Sequence, residues 1–64
     1  MEASEQEIKG KRITLFVEDR QGVITRRGVG IAINGEFLRF KNENNLEEAI
    51  ALSRILRYVV EAGA

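Results

Sequence analysis

Asn34-Gly35 constrains this chain more than any other pair. It favours a two-residue turn with positive φ at both positions, and alternating apolar residues flank it on both sides. Val29, Ile31 and Ile33 precede the turn, and Leu38 and Phe40 follow it. With Asn34 and Gly35 as the loop, Ile31 faces Leu38 and Val29 faces Phe40, so apolar pairs gather on one side of a hairpin. The spacing predicts strands over about Val23–Ile33 and Glu36–Lys41. A further strand is predicted over Ile13–Glu18, where Ile13, Leu15 and Val17 recur at period two among β-branched and aromatic neighbours. A loop of Arg20, Gln21 and Gly22 joins it to the next strand and sets Ile13 opposite Val29. That register leaves Leu15 facing Arg27 and Val17 facing Thr25, which calls for a bulge near Gly28.

After the third strand, Asn42–Asn45 reads as a polar break, with Asn45 and Glu48 spaced as a capping box. A helix is predicted from Leu46 to about Glu61. Its apolar residues spread over roughly 220° of a helical wheel, whereas covering one sheet face takes little more than about 100°. The surplus flank, Leu52, Ile55 and Val59, is therefore the expected oligomer interface. The expected fold is α+β: a three-stranded antiparallel meander followed by one C-terminal helix, dimeric or higher. Residues 8–64 form one domain behind a flexible acidic tail, Met1–Glu7.

Composition explains why association is expected. The chain has 64 residues and no Cys, His or Pro, so neither a disulfide nor a zinc site can supplement a core this small. The same absences remove the commonest general base and the most reactive nucleophile, and no cofactor, metal site or catalytic residue is expected. The carboxylates Glu18, Asp19, Glu43, Glu47 and Glu48 sit at a turn, in the polar break or at the expected helix start, and are read as structural. Tyr58 reads as a half-exposed amphipathic residue. The acidic N-terminus does not resemble a secretory signal, and no apolar run reaches the roughly 18 residues of a membrane span. No membrane partner and a cytoplasmic location are the expectations.

Charge is balanced overall, with ten bases and ten acids, but segregated along the chain. Residues 1–7 carry three acids and no base; residues 8–42 carry eight bases and three acids; residues 43–64 carry two bases and four acids. The registers above put Arg12, Phe16, Arg26, Phe37, Arg39 and Lys41 on the sheet face away from the helix, together with Gly28 and Gly30. Cations beside aromatics, over glycines that admit a close ligand, suit single-stranded DNA or RNA bound with low sequence specificity: bases stack and phosphates are neutralised. Arg26-Arg27-Gly28-Val29-Gly30 lacks both glycine-rich phosphate-binding fingerprints and precedes a strand, so it is not read as a phosphate loop. The strand–strand–strand–helix order with a basic sheet is similar, in topology only, to small single-strand-binding modules of the transcriptional coactivator, Pur and Whirly types. That resemblance implies nucleic-acid binding on the sheet and carries over no residue motif. The rival expectation is a structural or adaptor protein that uses the same face for homo-oligomerisation or a protein partner.

Overall fold

The computed structural model describes residues 4–61. One helical turn, α1 (Glu5–Ile8), precedes strands β1 (Arg12–Asp19), β2 (Gly22–Asn34) and β3 (Phe37–Asn42). Two more strands follow, β4 (Glu47–Ala51) and β5 (Ile55–Val60), joined by a 3₁₀ turn, Leu52–Arg54. All five form a single antiparallel sheet in the order β4-β3-β2-β1-β5. The C-terminal helix expected over Leu46–Glu61 does not form. The expected α+β class of a three-stranded meander with a helix is replaced by a five-stranded sheet, and the topological likeness to the single-strand-binding modules goes with it.

The reversal begins at Asn42–Asn45. Asn45 has φ 64°, a left-handed conformation that asparagine tolerates better than other side-chain-bearing residues. The Asn42 carboxamide oxygen accepts from the amides of Asn44 (2.9 Å) and Leu46 (3.0 Å), closing the loop from inside. Asn45 is therefore the turning residue of a β3–β4 hairpin, not a helix cap. Glu48 and Ile50 of β4 share the inner side with their partners Phe40 and Leu38, and β5 sends Ile55, Tyr58 and Val60 inward against β1 across a bulge at Leu56.

Both hairpin registers differ from the expected ones, the first by one residue and the second, at its turn, by two. The first loop is Arg20-Gln21, with Asp19 opposite Gly22, so Leu15 faces Arg26 and Ile13 faces Gly28. The second is Gly35-Glu36, with Asn34 opposite Phe37. Gly35, at φ 59°, still supplies the left-handed residue, now at the first loop position. The bulge lies at Ile31 in the β2–β3 pairing, not near Gly28, and brings Gly30 opposite Phe40 and Ile33 opposite Leu38. Val29 consequently points outward.

The sheet cannot be flat. Its end strands β4 and β5 would stand about 19 Å apart across four interstrand spacings of about 4.8 Å. The linker from Ala51 to Ile55 reaches at most about 14 Å even when fully extended. The sheet therefore curls until the end of β4 approaches the start of β5. β2 makes the bend: its first part, Gly22–Val29, pairs with β1, and its later part, Gly28–Asn34, pairs with β3. Inside the curl lie Ile13, Leu15, Val17, Leu38, Phe40 and Ile55, with Ile8 of α1 covering them, all at most 5% exposed. Ile33, Ile50, Leu52, Tyr58 and Val60 complete the core from its margins.

Glu5 and Glu7, in the segment read as a tail, hold α1 in place. The Ile33 amide donates to the Glu5 carboxylate (2.9 Å), and the Tyr58 hydroxyl donates to Glu7 (3.0 Å). The hydrogen bond to Glu7 keeps the Tyr58 phenol protonated to higher pH than usual. Residues 1–3 of that segment lie outside the described residues. No helix among the described residues is long and apolar enough to cross a membrane.

Candidate nucleic-acid interface

The convex face of the curled sheet carries the side chains that alternate away from the core. On β1 these are Arg12, Thr14, Phe16 and Glu18; on β3 they are Phe37, Arg39 and Lys41. The one-residue register change alters β2. Arg27 and Val29 face outward there, whereas Arg26 lies on the inner side, opposite Leu15. Arg26 reaches across the open end of the curl and donates to Glu48 (2.7 Å). It is not part of the convex face.

Gly28 and Gly30, expected to open that face to a ligand, also point inward. A β-carbon on Gly28 would meet Phe40 Cδ2 at 2.8 Å, and one on Gly30 would meet the Ile8 carbonyl carbon at 2.8 Å. Their smallness serves strand packing, not ligand approach.

Arg12, Arg27 and Lys41 surround one depression of about 730 Å³, floored by Thr14, Val29 and Val59 and bordered by Glu43 and Glu61. Pairing explains the convergence: Arg12, Val29 and Lys41 stand in one cross-strand row, and Arg27, Thr14 and Val59 in the next. None of the three cations forms an ion pair among the described residues. One row further, Phe16 faces Arg57 of β5, whose guanidinium carbon lies 5.0 Å from the ring centroid. Arg27 and Arg57 were not among the expected contacts. A two-residue first loop would have exposed Arg27, but Arg57 required β5.

The remaining expected contacts lie elsewhere on the face. Arg39 is bound to Glu47 through its guanidinium. Phe37 is half exposed at the β2–β3 turn. Phe37 instead lines a separate depression with Val17, Glu18, Ala49 and Arg54. The basic and aromatic residues are thus divided between two regions. The residues expected to form an interface on a helix flank share no flank: Ile55 is buried in the core, Leu52 opens the 3₁₀ turn against the core, and Val59 is exposed on the convex face.

On the inner side, Glu48 binds both Arg26 and the Asn42 amide (2.6 Å). The Asn42 hydrogen bond, opposed by partial burial and aided by Arg26, holds its carboxyl below the ordinary range. A depressed carboxyl pKa stabilises the fold above the unfolded-state value of about 4.3, and that contribution disappears as pH falls through the folded-state value. Glu48→Gln should therefore cost about 1 kcal/mol at pH 7, kept small by the exposure of Arg26, and almost nothing at pH 2. Urea melts of both proteins across that range check it; a cost independent of pH would show that the charge does not matter.

No group of three or more carboxylates among the described residues is arranged to hold a metal ion. The chain matches no family model, and no curated protein or solved structure matches it.

Proposed function

We propose that the protein binds single-stranded nucleic acid, DNA or RNA, across the convex face of its sheet with low sequence specificity. The supporting observation is the convergence of Arg12, Arg27 and Lys41, free of ion pairs among the described residues, around one depression. In this reading the three cations neutralise successive phosphates and release counterions. Thr14 offers a hydroxyl to the backbone, and Val29 and Val59 give an apolar floor to a sugar or base edge. Phe16 and Arg57, already face to face, form a slot against which a base stacks by displacing or sandwiching with the guanidinium. In this reading the cations meet phosphates and not base edges, hence the low specificity.

Fluorescence anisotropy with a labelled single-stranded oligonucleotide at about 50 mM salt tests this reading. Binding in the micromolar range is expected, with log K falling against log salt at a slope of about −2, as three neutralised phosphates require. Reversing two cations, Arg27→Glu with Lys41→Glu, should weaken binding about 100-fold while circular dichroism stays unchanged. Both side chains are exposed and form no ion pair among the described residues, so the fold has no need of them. No binding at tens of micromolar protein, or equal binding by the double variant, would sink the proposal.

A further inference from the structure

Among the described residues, the sheet ends in two strands with no further strand paired to them. β4 and β5 are its terminal members and are not hydrogen-bonded to each other, so each offers one row of unpaired backbone donors and acceptors. Hydrogen bonds at the strand ends show which groups these are. The Leu52 amide donates to Glu36 and the Asn42 amide to Leu46, so along β4 the even-numbered residues bond β3, and Glu47, Ala49 and Ala51 turn their amides outward. The Glu61 amide donates to Arg12, so along β5 Tyr58 and Val60 turn theirs outward.

Natural edge strands are protected by proline, by charged side chains and lysine above all, by β-bulges or by a covering element. β4 has the sequence Glu-Glu-Ala-Ile-Ala and β5 Ile-Leu-Arg-Tyr-Val-Val, with no proline or lysine in either. A bulge at Leu56 distorts β5 only near its start. Exposed apolar residues flank both edges: Leu46 before β4, Leu56 and Val59 on β5.

We infer that the two edges are made for each other, and that the β4 edge of one copy pairs with the β5 edge of the next. Three observations select a second copy of this chain as the occupant. The edges have matching lengths, five and six residues. Their charges are opposite: β4 carries Glu47, half exposed beside Arg39, and β5 carries Arg57, which forms no ion pair among the described residues. Both edges belong to one small chain whose core has neither disulfide nor metal to supplement it. Different patches meeting head to tail form a heterologous contact, which produces a closed ring or a filament instead of a twofold dimer.

Sedimentation equilibrium of the full chain, with Ala49→Pro as the edge-blocking variant, tests the inference. Ala49 is exposed and its amide faces outward, so proline removes one outward donor without breaking a β3–β4 bond. Ala49→Lys, which charges the same edge and keeps the amide, covers the case in which proline disturbs β4 itself. The unmodified chain at about 50 µM should sediment at more than two chain masses. Each variant, folded by circular dichroism, should fall to the single-chain mass of 7.2 kDa. A mass of two chains would indicate twofold pairing of like edges and overturn the inference. So would an unmodified chain that stays at one chain mass, leaving the edges to a strand from another protein, or folded variants that keep the assembled mass.

Discussion

Gly30→Ala is expected to unfold most of the protein at 37 °C, although it adds a single methyl group. A β-carbon there would overlap the Ile8 carbonyl oxygen and stand 2.9 Å from the Ile8 β-carbon, closer than real β-carbons approach. Neither side can yield. The Gly30 amide donates to Lys11 (3.0 Å), and its carbonyl accepts from Gly10 (2.9 Å), which pins β2 to the segment joining α1 to β1. Relief requires α1 to lift, and lifting α1 uncovers the core beneath Ile8. Overpacking costs about 1–3 kcal/mol, and losing the Ile8 contact adds about 2 kcal/mol or more. A chain of this length has roughly 3–10 kcal/mol in total. Thermal and urea melts followed by circular dichroism would measure the loss, with Val23→Ala at an exposed strand position as a control within about 0.5 kcal/mol. A Gly30→Ala melt matching the control would show that α1 does not close the core in solution.

Gly30 also shows where the sequence is legible and where it is not. Alternation in Ile13–Val17 and Leu38–Phe40 identifies inward residues correctly, because period two along a strand depends on local backbone geometry alone. Which residues oppose them depends on the loops. A first loop one residue shorter, together with the bulge at Ile31, turned Arg26, Gly28 and Gly30 inward and Arg27 outward, whereas the shift at the second turn left Ile33 and Leu38 inward. The C-terminal segment departs from the expected helix for a different reason. Leu46, Ala49, Ile50, Leu52, Ile55, Leu56, Val59 and Val60 satisfy helical spacing, yet they also fit two short strands broken by a turn. Tertiary pairing decides between the two: β1 and β3 each had a free edge, and β4 and β5 satisfy both. Two signals favoured strands. The apolar arc was too wide for a surface helix, and Asn42–Asn45 has the composition of a hairpin loop with a left-handed asparagine. The depression was only half legible for the same reason: Arg12 and Lys41 follow from alternation, Arg27 from the true register, and Val59 and Arg57 from β5.

Phe40→Ala and Phe37→Ala should have opposite consequences, although the residues lie three apart on the same strand. Phe40 is fully buried, opposite Gly30 on β2 and Glu48 on β4, with its ring edge against Gly28. Phe37 is 50% exposed on the convex side. Truncating Phe40 leaves a void where β2 bends, and glycines at 28 and 30 have no side chains to move into it. The expected cost is about 3–5 kcal/mol, enough to unfold a large fraction of a chain this small. Phe40→Leu, which keeps most of the volume, should cost about 1.5 kcal/mol and leave a measurable transition if the alanine variant has none. Phe37→Ala should cost under about 1 kcal/mol. Urea melts of the three variants at matched concentration supply the comparison. The difference between Phe40 and Phe37 reads the register of β3 directly, since slipping the strand by one residue exchanges the two faces. If Phe37→Ala were the costly substitution, β3 would be inverted relative to the core, and the convex face with Lys41 on it would be the inside of the protein.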